Sequence, residues 1–267
     1  MNRVWVKSLI GIALLLLTSG THALEKTWLQ PAFVSNAFIQ VALRNEYSPG
    51  EKKVRKWHTP VRVYVEHQVA DKALHESLLK MHLRDLSAIT GLSIETTSDK
   101  AQANVIWVFT QESSYQSEVK RLMGRKSANN LGSAVCKAGF KTRQSAIYYA
   151  AIVIPVDKAR EHGKLVACIV EEITQVLGLP NDSDQAYPSI FNDNSPEELL
   201  SPLDIVLLKL LYQPEIKAGM SEAEVKPVLN TLLTRFADNG TLSQSVDVAT
   251  QTELFQFIGY WLLSVSL

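Results

Sequence analysis

One helical segment limits what this chain can fold into more than any other. At ~3.6 residues per turn, Lys164, Cys168, Glu171 and Gln175 fall on one stripe, while Leu165, Val166, Ile169, Val170, Ile173, Val176 and Leu177 cover most of the remaining surface. Such a helix must be largely buried, and its polar stripe is the candidate site. Gly178 ends the helix, as a residue free to take the left-handed conformation, and Pro180 stops it from resuming. The chain turns back sharply there, into Asn181 and Asp182.

Two kinds of chemistry fit these residues. Glu171 and Glu172 are adjacent, and with Asp182 and Asp193 near them they could raise one another's pKa and act as acid and base without a metal. Neighbours on a helix, however, point about 100 degrees apart. The commoner role for one of them is a buried hydrogen bond that holds the helix to the following turn. On that reading Glu171, Gln175, Asn181 and Asp182 form a polar network that fixes the turn and catalyses nothing.

Written as Glu-Glu-x-x-Gln-x-x-Gly-x-x-Asn-Asp, residues 171–182 resemble the zinc-binding helix of metzincin peptidases, whose pattern is His-Glu-x-x-His-x-x-Gly-x-x-His. Glu171, Gln175 and Asn181 stand where that family places three histidines, and Glu172 alone keeps the general-base identity. Tyr187-Pro188 sits where metzincins have the tyrosine and proline after the methionine turn, with Ala186 replacing the methionine. Leu200-Ser-Pro-Leu-Asp-Ile205 with Leu211-Tyr212 looks like their capped third helix. The motif helix, Pro188-Ser-Ile-Phe-Asn-Asp193, Leu211-Tyr212 and Gly219-Met220 together are similar to the uncharacterised bacterial family called domain of unknown function 2927, over about residues 55 to 235. That resemblance implies a zincin-like scaffold and supplies no activity. A zinc hydrolase needs nitrogen or sulfur ligands and an open position for water, and one carboxylate with two amides is not such a set. Oxygen-only ligands favour hard ions instead. No metal and no cofactor is expected.

The remaining composition narrows the setting. With 27 basic and 27 acidic residues the formal charge is zero, so no global field steers the chain to nucleic acid. Residues 1–23 combine a basic start at Arg3 and Lys7, an apolar run from Leu9 to Leu17, and small residues ending at Ala23. They read as a secretory signal peptide, the run being short of the ~20 apolar residues of a spanning helix. The mature chain is then expected in the periplasm or outside the cell. In such a place the two cysteines, Cys136 and Cys168, should pair and pin the segment around Cys136 to the motif helix, worth roughly 3 to 4 kcal/mol. The other reading is two buried free thiols.

Taken in order, the chain suggests a helix from Trp28 to Tyr47, a turn at residues 48–50, and a solvated basic linker up to Lys56. Val61, Val63 and Val65 alternate as in a half-buried strand. A helix follows over residues 70–90, with Leu74, Leu78, Met81, Leu86 and Ile89 inward and Gly91 closing it. His75 and His82 are placed on its surface, and His58, His67 and His162 are read as surface residues too. Residues 92–95 and 104–109 read as strands, the second central. Residues 111–139 are polar and turn-rich and are read as a long loop over a sheet edge, the region that in peptidases of this architecture carries the groove-lining strand. Residues 145–155 form a further strand. Beyond the motif, Ser201 with Pro202 and Asp204, then Ser221 with Glu224, cap two helices. Residues 254–267 carry no charge and are too short to span a bilayer. Docking on the domain, against the amino-terminal helix, competes with a peripheral membrane or partner contact.

The expectation is an α/β fold, α+β in places, with a zincin-like mixed sheet, a buried motif helix and C-terminal helices. Its parts are residues 1–23 as signal peptide, 24–54 as helix and linker, 55–237 as the zincin-like domain and 238–267 as an apolar tail. The favoured role is non-catalytic, holding an extended peptide or protein or serving a structural purpose. The alternative is a peptidase-like hydrolase using Glu171 and Glu172 or a weakly bound metal.

Overall fold

The apolar run 105–110 makes a strand buried at every position, β4 (Val105–Thr110). It lies between β2 (Val61–His67) and β6 (Ala146–Pro155). β3 (Ile94–Thr96) follows beyond β2, and β1 (Lys56–Trp57) pairs the start of β6. These pairings are all parallel, whereas β5 (Lys137–Arg143) runs antiparallel to β6. The fold is therefore α/β with a mixed six-stranded sheet. The computed structural model describes residues 27–44 and 52–265. The signal peptide expected over residues 1–23, the turn expected at residues 48–50 and the aromatic side chains expected to dock from Tyr260 onward lie outside what is described.

Successive side chains of β6 face opposite ways, as strand geometry requires. Ile152 and Ile154 enter the main core, while Val153 packs with Tyr115 and Val119 of α3 (Glu112–Met123) and Ala128 of α4 (Arg125–Asn129). The main core gathers α1 (Pro31–Phe38), α2 (Lys72–Thr90), α6 (Leu165–Val176), α7 (Pro202–Leu211) and α8 (Glu222–Asp238) on the other face. Short α5 (Val156–Glu161) leads from β6 into α6, and α9 (Ser245–Thr250) precedes α10 (Glu253–Val265). Both predicted capping boxes are present, at Ser201 with Asp204 and at Ser221 with Glu224. Gly91 closes α2 in the left-handed conformation. Among the described residues no helix is long and apolar enough to cross a membrane.

Several expectations need correction. Residues 111–139 are not one long loop: α3 and α4 occupy most of them, and β5 begins at Lys137. The single helix expected from Trp28 gives way to α1 followed by a π-helical turn, Ile39–Leu43, both sunk in the core. His75 and His82 are buried, and Leu74, expected inward, is exposed. α10 packs on α2 and α9; its first amides are capped by Asp85, which accepts from Glu253 N at 2.8 Å and Leu254 N at 3.1 Å.

The basic linker is also not solvated. Val54 N donates to the Met220 carbonyl at 2.9 Å, and the Val54 carbonyl accepts from Gly219 N at 2.8 Å. The next three side chains each satisfy the end of a different helix, where the last carbonyls have no intrahelical donor. Arg55 donates to the carbonyls of Leu43 at 2.9 Å and Arg44 at 2.8 Å. Lys56 Nζ donates to Leu211 O at 2.6 Å and Ile216 O at 3.0 Å, just past α7. Trp57 Nε1 donates to Val176 O at 2.9 Å, and Tyr212 Oη to Leu177 O at 2.8 Å, closing α6. Burial, with Lys217 as a second cation nearby, lowers the Lys56 ammonium to about 8, so it still meets those carbonyls charged at neutral pH.

Gly178 follows at φ +123°, and a Cβ there would stand 2.1 Å from the Arg55 carbonyl oxygen. Gly178→Ala therefore has to move backbone, and is expected to cost at least ~2 kcal/mol, roughly 5 °C of melting temperature or more for a domain of this size. Lys56→Met leaves buried carbonyls without a donor and is expected to cost ~1 to 3 kcal/mol. Thermal and denaturant unfolding of the two variants measure both effects.

Candidate functional site

The stripe on α6 faces open space. Lys164, Cys168, Glu171 and Gln175 line one wall of a cleft of about 580 Å3, and residues 130–138 line the wall across from it. Asp182, Asn192, Asp193, Ser195 and Glu197, from the turns after α6, complete the lining. The two walls are joined covalently: Cys136 and Cys168 form a disulfide, with their Cα atoms 5.9 Å apart. Beyond its first turn the apolar remainder of α6 is buried, as the sequence requires, while Leu165 and Val166 are partly buried.

A smaller cavity of about 230 Å3 continues from the cleft, sharing Asn130, Lys137, Ala138 and Gln175 with it and adding Lys126, Gly139, Phe140 and Pro180. Together they make one groove between β5 and α6. Among the described residues β5 pairs only with β6, so its outer edge has no strand neighbour. The groove is graded in charge. Glu171, Glu172, Asp182, Asp193 and Glu197 line the larger end together with Lys164, Lys137 stands where the two cavities meet, and Lys126 lines the smaller end alone.

Each predicted residue now has a place. Gln175 Nε2 donates to Glu171 Oε1 at 3.2 Å and to Asp182 Oδ1 at 3.1 Å, so one amide bridges two carboxylates across the turn. Asn181 is buried. Its Nδ2 donates to Gln40 O at 3.0 Å and to Asp182 O at 2.8 Å, and its backbone amide donates to Val41 O at 3.2 Å. It ties the turn to the amino-terminal helix and does not line the cleft. Glu172 is 5% exposed and lines the cleft, and Asp193 is exposed at its rim.

The loop that carries Asp193 is anchored from below. Asp204, in the first turn of α7, accepts from Ser189 Oγ at 2.6 Å, Ile190 N at 3.2 Å and Ser201 N at 2.8 Å. Burial pushes its carboxyl up to about 6 against those three donors, which favour the charged form. Ser195 Oγ bonds Glu197 within the same loop. Reasoning from the motif alone passed over Lys126, Lys137, Ser195 and Glu197, which reach the groove from segments without a recognisable pattern.

A zinc ion does not fit this donor set. The three positions that would have to supply imidazoles hold a carboxylate and two amides. The amide nitrogens of Gln175 and Asn181 are committed to carboxylate and carbonyl oxygens. Among the described residues no group of three or more His, Cys, Asp or Glu side chains is placed to hold a metal. His75 and His82 are on the buried face of α2, and His58 and His162 are exposed.

No curated protein and no solved structure matches the chain. A family model does, over residues 31–231, from the start of α1 into α8 and including every residue that lines the groove. The chain belongs to the family described as protein of unknown function, DUF2927.

Proposed function

We propose that this is an exported binding protein on a peptidase-like scaffold, whose groove between β5 and α6 holds an extended peptide without cutting it. The observation that carries this is the fate of the site's amides. Gln175 and Asn181 are spent on fixing the turn, while the groove beside them stays open along an unpaired strand edge. An extended chain can add to such an edge through backbone hydrogen bonds, with side-chain pockets setting its preference. The sheet order, with one antiparallel strand beside the motif helix, supports the zincin-like reading, in which the corresponding strand lines the substrate groove. The graded charge gives a bound peptide a direction, with cationic side chains at the carboxylate-rich end and an acidic group by Lys126. Export is supported by the reading of residues 1–23 and by the disulfide, a bond rare in reducing compartments.

A second reading keeps catalysis on carboxylates, because Glu171 and Glu172 both line the cleft. The two separate in one experiment with a fluorescein-labelled random decapeptide pool, measured for binding by anisotropy and for turnover by mass spectrometry, with and without added zinc. Binding without cleavage is expected, with Glu172→Gln leaving affinity within ~3-fold and Lys126→Glu weakening it ~3- to 10-fold. Metal-free hydrolysis abolished by Glu171→Gln or Glu172→Gln would replace the binding reading. Zinc-dependent cleavage lost in Glu172→Gln would refute it.

A further inference from the structure

Helix α2 carries titratable groups that the groove does not use. His75 and His82 lie two turns apart on its buried face, at 0% and 1% exposure, and His67 ends β2 beside them. His67 and His75 stack with Phe109 of β4. The phenyl ring is 5.2 Å from the His67 ring and 4.7 Å from the His75 ring, and the two imidazoles lie 6.1 Å apart at 7°. Both ring nitrogens of His75 are buried without a hydrogen-bond partner, and His67 Nε2 stands 3.5 Å from Glu76 Oε1. A neutral imidazole tolerates such a dry aromatic stack. A protonated one would be a buried cation with no acceptor.

The charges around the stack offer one to His67 alone, from Glu76, and none to His75. On α2 and at its start stand Lys72, Glu76 and Asp71, and α5 brings Arg160. Asp71 is paired with Arg160 at 2.8 Å, and Glu76 lies 3.0 Å from Lys80 and 3.6 Å from Lys72, so both anions are engaged by cations. One α-helical stretch further on, His82 Nε2 lies 3.2 Å from Val170 O and 3.3 Å from Thr174 Oγ1 of α6. Glu171 and Gln175, the next residues in each case, line the groove. α10 meets the end of α2 through Arg84 with Glu253 and through Asp85. The other elements packed on α2 carry Glu253 of α10, paired with Arg84, Glu95 of β3, and Asp204 and Lys209 of α7, with Asp204 committed to Ser189, Ile190 and Ser201.

We propose that α2 is an acid-operated strut: proton uptake by His75 and His82, with His67 beside them, unseats α2 from the sheet and from α6 and so dismantles the groove. Burial lowers all three imidazoles, His82 to about 4, so the unfolded chain binds these protons at higher pH than the folded one. Their contribution is intact above the ordinary histidine value of 6.5 and is lost as pH falls from there, through to about 4 for His82. Within that window each histidine shifts the folded-to-unfolded ratio by up to about tenfold per pH unit. Asp85 and Asp204 act in the opposite sense. Burial raises both carboxyls, to about 6 for Asp204, so the folded state takes their protons first and is favoured as pH falls. Three histidines are thus set against two carboxyls.

The full chain tests this by near-UV circular dichroism and tryptophan fluorescence, titrated from pH 8 downward. The wild type is expected to lose its tertiary signal cooperatively between about pH 6.5 and 4, taking up more than one proton. In His75→Phe/His82→Gln, which keeps an aromatic ring in the stack and a neutral N–H towards Val170, the transition should move at least about one pH unit lower, with the signal at pH 8 unchanged. An unchanged midpoint, or a wild type intact at pH 4, overturns the proposal. Should the double variant fail to fold at pH 8, histidine Cε1–H resonances of the wild type decide it: His75 and His82 neutral until the fold is lost supports the strut, and titration near 6.5 within the native fold overturns it.

Discussion

The position of everything around the groove depends on how three helices end at one place. A helix finishes with carbonyls that no residue of its own can satisfy, and in a dry core each must find a donor. Arg55, Lys56 and Trp57 supply donors to the π-helical turn after α1, to the end of α7 and to α6 respectively. Consecutive side chains of an extended segment point in different directions, which is why one short stretch reaches three helix ends. Tyr212 then joins two of those ends, since it follows α7 and donates to Leu177 beyond α6, with Lys56 Nζ 5.0 Å from its ring centroid. Gly178 is the other half of this junction. Its missing Cβ leaves the space that the Arg55 carbonyl occupies, so α6 can end only there. The turn with Asn181 and Asp182, and hence the opening of the groove, is set by that stop.

What the amino-acid pattern made legible were the elements whose instructions are local. The buried run of β4, the alternation of β2, the glycine stops at Gly91 and Gly178 and the two capping boxes each act within a few residues of themselves. What stayed hidden were the elements completed from a distance. Gln111 offers α3 no side-chain cap; Asp157 of α5 accepts from Glu112 N at 2.8 Å instead. α10 is capped in the same way by Asp85 of α2. β5 escaped notice because its hairpin turn is made by Gln144 and Ser145, both left-handed at φ 51° and 66°, where a turn of that kind usually announces itself with Asn-Gly. A polar side chain on an apolar face reads as exposed when its partners are aromatic rings and not hydrogen-bonding groups. That is how His75 was misplaced.

At the site, the stripe on α6 was readable because its period is local, and the disulfide because only two cysteines exist. The use made of each residue was not, since it depends on what lies opposite. Gln175 is an intermediary between Glu171 and Asp182, whereas Asn181 turns inward to the amino-terminal helix. A metal held by three side chains fastens a helix to the turn after it and contributes folding free energy in doing so. Here hydrogen bonds fasten the same elements. Amides suit that task because each donates two N–H groups and carries no charge, so it can bridge carboxylates without the desolvation cost of a buried cation.

The groove's two walls are consequently held by unlike means. The wall built from residues 130–138 is tied to α6 by a covalent bond and continues into a strand that, among the described residues, has one partner. The α6 wall is held by packing on α2, where His82 meets Val170 and Thr174, and by the junction at Arg55, Lys56 and Trp57. Acid acts on the second wall and reduction on the first. A ligand lying between them touches both, and stabilises the folded state in proportion to its occupancy by mass action. Proton uptake at α2 and occupation of the groove are therefore thermodynamically linked: whatever binds the seated form must lower the pH at which α2 lets go, and acid must weaken its binding by the same factor.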